Sequence, residues 1–406
     1  MNPLLISGFG TSINVEKRKL VIQNRLKNEK MEFYPHRISH DSIILDGHTG
    51  SISFESMRWL MKHDIHLTLL NWNGNLLATT LPEAPRSGKL RIKQYQKYQD
   101  TKTRYKIAQK IVRTKVESSL NLLKELARFY DLDIVKTEKT IQKENQSFAE
   151  KLDAENAVSF SNLLMYEGRI ATVYFANLGV IFNKIAPKFP FSVRADKENN
   201  RNYNAADEIN ALLNYGYAIL ESEARKAVNA SGLDYSIGFL HEIFQGKTPL
   251  VYDMQELFRW LVDYSLIKLL EEYTLKKSDF IITENYHIRL RENIAKLLIE
   301  KIRINFNRKA PYKGKNYTCQ NILYDNVQQL ANFVSDRRKD LEFFIPKLTI
   351  DKNDSLELRK KILKMTSDER KRLGIAKTTL WCMKKNISNK KNVKIYEKTL
   401  FKLNQK

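Results

Sequence analysis

Residues 81–91 read Leu81-Pro82-Glu83-Ala84-Pro85-Arg86-Ser87-Gly88-Lys89-Leu90-Arg91, and the character of the chain changes across them. Pro82 and Pro85 lack a backbone donor and Ser87-Gly88 loosens the chain, which predicts a linker. Upstream, short apolar runs alternate with turn residues: Leu4–Ile6, Leu20–Ile22, Ser42–Leu45, Ser51–Phe54, His66–Leu70 and Leu76–Thr79. These read as strands, with a short helix near Phe54–His63 between them. Asp46-Gly47 and Asn73-Gly74 suit the positive-φ corners of tight hairpins.

Downstream the pattern turns helical. Ile107, Ile111 and Val112 begin an apolar stripe that Leu120, Leu122, Leu123 and Leu126 continue, at the spacing of one helix face. Two polar stretches, residues 137–148 and 194–205, are expected to be surface loops between helices, the second ordering on a ligand. Near the end, Thr366-Ser367-Asp368-Glu369 predicts a capped helix start. Gly374 predicts its stop, and Ile375–Trp381 a second short helix. A helix, a glycine turn and a helix opening with Lys377, Thr378 and Thr379 form a helix-turn-helix signature, or else a helical hairpin that closes the core. The expected class is α+β: a β-rich domain (1–85), a linker and mainly α-helical domain (86–350), and a basic helix-turn-helix-like module (351–406).

The 406 residues are long enough for two or three domains at roughly 100–200 residues each. The 42% hydrophobic content excludes a disordered chain. No apolar run reaches the roughly 18–20 residues of a spanning helix. The start MNPLLISGFG lacks the basic region and apolar run of a signal peptide. The cysteines, Cys319 and Cys382, form neither a disulfide framework nor a zinc pattern, so a reducing cytoplasmic location is expected.

Charge is the strongest compositional signal: 69 Lys and Arg against 46 Asp and Glu leave +23. Residues 86–115 hold eleven Lys/Arg and one acid; residues 351–406 hold seventeen against six acids. These blocks carry 21 of the 23 net charges, which favours two polyanion-contacting surfaces over solvated helix faces. Arg86, Lys89, Arg91 and Lys93 in the first block, and Lys377, Thr378, Thr379, Lys384 and Lys385 in the second, are the candidate DNA contacts.

Five of seven histidines (36, 40, 48, 63 and 66) lie in the β-rich part, leaving His241 and His287 among the helices. There is no phosphate-cradling Gly-rich loop with Lys-Ser/Thr, which argues against ATP-driven chemistry. Asp253 and Glu256 stand three apart, on one helix face. Glu167 lies far upstream, in Met165–Arg169. Carboxylates with one imidazole suit Mg²⁺ or Mn²⁺. By spacing alone, Asp253 and Glu256 equally suit a solvated helix face, and His241 a satisfied histidine.

Four motifs in order, YEGRIA (166–171), INALLNYGYAIL (209–220), GLDYSIGFLH (232–241) and LVYDMQELFRWLVD (250–263), resemble those of the CRISPR-associated adaptation integrases. The likeness covers roughly residues 1–300. It implies a β-sandwich followed by an all-α catalytic domain. It places the family's catalytic metal ligands on Glu167, His241 and Glu256, with Asp253 as a further or alternative ligand and Mn²⁺ or Mg²⁺ as cofactor. Asn210 and Tyr217 match a motif that sets packing near the site, and Arg259 is positioned to hold a carboxylate or a DNA phosphate. The basic tail departs from the CRISPR enzymes and resembles the casposases, transposases of casposon elements.

The resemblance implies DNA integration: a 3′-hydroxyl end attacks a target phosphodiester, with metal activating the nucleophile and no ATP required. Two ends attacking two strands require at least a dimer, assembled on double-stranded DNA. The competing expectations are a CRISPR adaptation integrase working with a small protein partner, a metal nuclease of DNA repair, and a non-catalytic DNA-binding regulator.

Overall fold

The computed structural model describes residues 1–7, 10–47, 49–71, 74–81, 87–130, 132–155, 159–192, 205, 207–283, 287–350 and 361–388. The N-terminal region contains β1 (Pro3–Ser7), β2 (Thr11–Glu16), β3 (Lys19–Asn24), β4 (Glu29–Phe33), β5 (Ser42–Asp46), β6 (Gly50–Ile52), α1 (Phe54–Lys62), β7 (His66–Leu70) and β8 (Leu76–Thr79). They form two four-stranded sheets, ordered β1-β5-β7-β8 and β4-β3-β2-β6. Between the sheets Ile13, Leu20 and Ile22 meet Ile6, Ile43 and Leu67, together with Trp59 and Leu60 of α1. This is the expected α+β arrangement with a sandwich-like start.

The first sheet is buried on both faces. Ile6, Ile43 and Leu67 face the second sheet, whereas Leu5, Ile44 and Leu70 join the helical core. Strand periodicity of two produces that division, and double burial explains why β1, β5 and β7 read as continuous apolar runs. They pair in parallel, β1 with β5 and β5 with β7.

Two strands of this N-terminal region, β2 and β4, escaped the sequence reading. β2 and β3 turn on Lys17-Arg18, both at positive φ (50° and 67°), without the usual Asn or Gly. Trp59 Nε1 donates to Arg18 O at 3.0 Å and secures that turn. β4 is mostly charged and exposed. Asp46-Gly47 is not a hairpin corner: β5 belongs to one sheet and β6, parallel to β2, to the other, so the chain crosses between sheets there. β7 and β8 are an antiparallel pair, and Gly74 has the positive φ expected of it (82°); Asn73 lies outside the described residues.

The helical region runs α2 (Gly88–Gln99), α3 (Thr101–Ala127), α4 (Ile134–Glu155), α5 (Phe160–Ile185), α6 (Glu208–Ser231), α7 (Pro249–Glu256) and α8 (Arg259–Glu272). After a short β9–β10 hairpin (Phe280–Ile282, Ile288–Leu290) come α9 (Glu292–Phe306), a β11–β12 hairpin (Lys309–Tyr312, Lys315–Thr318) and α10 (Cys319–Val334). α8 is buried on all sides from Trp260 to Ile267, so it is the central helix around which the others pack. No described helix is long and apolar enough to cross a membrane.

Residues 137–148, expected as a loop, lie inside α4. Thr137 and Ile141 are buried, and Phe148 stacks on Tyr166 at 4.7 Å, so residues seven apart make one apolar face beneath a dense polar surface. Of the second expected loop, 194–205, all but Ala205 falls outside the described residues.

The tail forms α11 (Ser367–Arg372) and α12 (Lys377–Ser388), separated by Gly374 at φ 57°. The capping box is present: Glu369 N donates to Thr366 Oγ1 at 3.2 Å, and Thr366 N to Glu369 Oε2 at 3.0 Å. Ile375, Leu380 and Met383 belong to the same contiguous apolar cluster as the helical core. α12 and the turn before it therefore share their buried residues with that core, whereas α11 buries none.

Gly216 allows α6 to approach α8. A Cβ there would stand 2.5 Å from Val262 Cγ1 and 3.3 Å from Ile302 Cδ1. Gly216→Ala is expected to cost about 1–3 kcal/mol through overpacking, read as a lower midpoint in denaturant at unchanged slope.

Candidate active site

α7 opens on Pro249, suited to a first helical turn, and is only eight residues long. Asp253 and Glu256 are 0% and 6% exposed, so neither lies on the solvated face that their spacing also allowed. A buried carboxylate must find donors or counter-charges. These two find different partners.

Asp253 gathers the loop between α6 and α7. Its Oδ2 accepts from the amides of Phe239 and Leu240 (3.0 Å), and its Oδ1 from the amide (3.0 Å) and ring Nδ1 (2.8 Å) of His241. Those four bonds fill the acceptor sites of a carboxylate. Asp253, expected as a further metal ligand, is thus committed to holding His241. Gly238 makes the approach feasible, because a Cβ there would meet Pro249 at 2.7 Å. Gln94 on α2 pins the loop, donating to Asp234 O (2.9 Å) and Ile237 O (2.8 Å), and Arg104 on α3 donates to Phe239 O (3.1 Å).

The bond to Asp253 leaves His241 Nε2 without a hydrogen bond among the described residues. Burial works against the imidazolium, but Asp253 and, to a smaller extent, Glu256 outweigh it, so the His241 pKa lies above its usual value. The stability this contributes is fully present below the ordinary histidine pKa and is lost as pH rises through the raised one.

Glu256 lies at the end of α7, where the chain breaks before Arg259 opens α8. Arg259 Nη1 donates to Glu256 Oε1 at 2.8 Å and its guanidinium lies 4.2 Å over the Tyr217 ring. Lys115 Nζ, reaching in from α3, stands 2.6 Å from Glu256 Oε2 and also bonds Glu167 Oε1 on α5. Glu256 Oε2 is buried, and the Lys115 ammonium is the counter-charge beside it. Burial opposes the charge on Glu256, yet Arg259 and Lys115 prevail and hold its carboxyl well below the usual carboxylate range.

These groups edge a cavity of about 490 Å³ whose wall also includes Tyr174 and Asp263. Tyr174 and Tyr217 both donate their hydroxyls to the buried Asp263. Asn210 sits at the start of α6, where its side chain donates to the capping Asp207 at 2.8 Å, which is a packing role.

Thus Glu167 and Glu256, far apart in sequence, meet on one cation, while His241 stays with Asp253. Among the described residues no group of three His, Cys, Asp or Glu is close enough to hold a metal ion as it stands. The sequence reading missed three residues here. Gln94 carried no signal. Arg104 and Lys115 were counted only as members of a basic block. Lys115 follows Ala108, Ile111 and Val112 at helical spacing, so it belongs to the buried stripe, and that periodicity is the clue that marks it out.

The expected DNA contacts divide similarly. Lys93 is tied to Asp336 (2.7 Å) and Ser335 O (2.9 Å), and Arg91 lies 3.4 Å from Gly232 O; both fasten α2 to neighbouring elements. Arg259 is taken by Glu256. Lys89 is exposed with no acidic partner among the described residues, and Arg86 lies outside them. In the tail, Lys377 and Thr378 are exposed and Thr379 half-exposed. Lys384 donates to Met365 O at 3.1 Å, and Lys385 lies 4.7 Å over the exposed Trp381 ring.

Asp253→Asn puts an amide where four donors converge. It is expected to cost about 2–4 kcal/mol, with a larger loss near about pH 6 than about pH 9, because the imidazolium pair is lost too. Thermal unfolding at both pH values, with NMR titration of His241 showing a lowered pKa, checks this.

Comparison with known proteins bears on this site. The profile of the family described as CRISPR associated protein Cas1 matches residues 4–303. The chain is 26% identical over 352 residues to CRISPR-associated endonuclease Cas1 1 of Archaeoglobus fulgidus, covering 85% of this chain and 99% of the relative. It is 28% identical over 335 residues to its counterpart in Francisella tularensis subsp. novicida, covering 82% and 95%. A solved casposase bound to integration product matches with TM-score 0.76 and 32% identity, over 90% of this chain and 99% of that one. A CAS1 protein from Thermotoga maritima shares the fold, with TM-score 0.64 and 17% identity over 82% and 97% of the two chains. With ordered motifs, fold and profile in agreement, the chain belongs to the Cas1 family.

Proposed function

We propose that this chain is a divalent-metal-dependent DNA strand-transfer enzyme of the casposase type. The observation that carries it is the convergence of Glu167 and Glu256 on one cation at the edge of a cavity, with Arg259 beside them. Two carboxylates that share one counter-charge fit a hard divalent ion such as Mg²⁺ or Mn²⁺. His241 completes the donor set through Nε2. Asp253 fixes its tautomer, as a carboxylate partner commonly does for a metal-ligating histidine. Once bound, the ion supplies activation of a hydroxyl and neutralisation of phosphate charge.

In the proposed reaction the 3′-oxygen of an incoming DNA end bonds to a target phosphorus as the target's own 3′-oxygen departs. One phosphodiester replaces another, so no nucleotide cofactor is consumed. Arg259, neutralised here by Glu256, is a guanidinium within reach of phosphate charge on the cavity edge. Exposed Lys89, Lys377, Thr378 and Lys385 are proposed to contact DNA, and coordinated attack by two ends calls for at least two copies on DNA. The matched casposase was solved with an integration product and covers 90% of this chain at 32% identity, which supports the casposase reading.

The second reading, insertion of spacers into a CRISPR array, is favoured by relatives that carry CRISPR-associated names over more than four-fifths of this chain. A solved Cas6-RT-Cas1–Cas2 complex shares the fold with TM-score 0.64 at 22% identity, and it includes a protein partner.

The purified full chain, supercoiled plasmid, Mn²⁺ and a labelled duplex with a free 3′-hydroxyl are expected to yield joined label without any partner protein. Glu256→Gln and Glu167→Gln should each lower joining more than about 100-fold, beyond what loss of a ligand's supporting residue costs. Lys377→Ala should weaken DNA binding and reduce its salt slope by about 1. Joining that needs an added Cas2-type partner moves the assignment to the CRISPR reading; wild-type activity in both glutamate variants defeats the catalytic one.

A further inference from the structure

Lys115 sits where the proposed site needs a metal. Its ammonium joins Glu167 and Glu256, the two carboxylates that α5 and α7 bring together. With Arg259 included, the cluster holds two negative and two positive charges and is neutral as built. A divalent ion entering between the carboxylates adds two positive charges at the position of an existing cation. One resident cation must then leave.

The two residents are not equivalent. Arg259 is clamped: its guanidinium bonds Glu256 Oε1 and rests on the Tyr217 ring. Lys115 is a point charge on a flexible four-carbon stem with no aromatic ring beneath its ammonium among the described residues. It also borders the cavity, so open space adjoins the ammonium. Along the same helix Lys102, Lys106, Lys110 and Arg113 have no acidic partner among the described residues, and Lys106 lies 5.8 Å over the Phe333 ring.

We propose that Lys115 is an exchangeable counter-ion: it holds the Glu167–Glu256 pair together in the metal-free protein and yields its place to the divalent ion. This rests on the metal reading given above. Lys115 is accordingly a positioning residue that competes with the metal, and its removal strengthens metal binding while weakening the metal-free fold.

The test is Mn²⁺ titration of the full chain by calorimetry and by electron paramagnetic resonance of free Mn²⁺, with unfolding midpoints measured in chelator and in Mn²⁺. Lys115→Met and Lys115→Gln should bind Mn²⁺ about tenfold tighter than wild type or more, whereas Lys115→Arg, which keeps the charge, should not. Both neutral variants should unfold at lower temperature in chelator and regain the wild-type midpoint in Mn²⁺. Arg113→Met, which removes a nearby cation outside the cluster, should leave Mn²⁺ affinity within about threefold of wild type. Unchanged or weaker Mn²⁺ binding in the neutral variants, or an equal gain in Arg113→Met, overturns the proposal. Mn²⁺ binding that is absent from wild type, or indifferent to Glu256→Gln, overturns the metal reading itself and the inference with it.

Discussion

Two buried carboxylates on one eight-residue helix set the terms for the rest of the site. Ionised side chains removed from water persist only when counter-charges or several donors replace the lost hydration. Asp253 finds amides and an imidazole, and so gathers the loop that ends α6. Glu256 finds Lys115 and Arg259, and so draws α3, α5 and α8 to one point. Remove that demand and nothing in local propensity would make these segments meet.

Both solutions borrow from the basic helices that follow the linker. Gln94 and Arg104 hold the loop from outside, and Lys115 enters the cluster from within. The high positive charge of residues 86–115 therefore serves two ends. Part of it is consumed inside the protein, where Arg104 and Lys115 meet carboxylates and carbonyls. Another part, Arg91, Lys93 and Lys97, fastens α2 to its neighbours, and Lys102, Lys106, Lys110 and Arg113 stay along α3 with no acidic partner among the described residues, the kind of electrostatic footprint a polyanion needs. Net charge by itself does not separate these uses, since a cation counted in a sum has no stated direction.

The β-rich start and the helical region are joined as closely as the layers within either one. The first sheet is shared, with one face against the second sheet and the other against the helices. α12 buries Leu380 and Met383 in that same apolar cluster while keeping Lys377, Thr378 and Lys385 outward. An element can thus present a basic outer surface and still be part of the core beneath it.

Much of the architecture was legible from pattern alone: the succession of short strands and then long helices, six of the strands, α1, and the capped tail helix all follow from periodicity, turn chemistry and capping, whereas residues 82–86 of the expected linker lie outside the described residues. Those signals are local, carried by residues within a few positions of one another. β2 was hidden because its turn uses Lys17-Arg18 at positive φ, and α4 because its apolar positions seven apart are sparse among polar residues. Motif order marked Glu167, His241 and Glu256 as belonging together, and composition marked the basic blocks. Only the tertiary structure decided that Asp253 is spent on a loop, that Glu167 and Glu256 share a lysine, and that Arg91 and Lys93 fasten helices. A buried charge is assigned its partner by whatever the fold brings within a few ångströms, and that distance is not written in spacing along the chain.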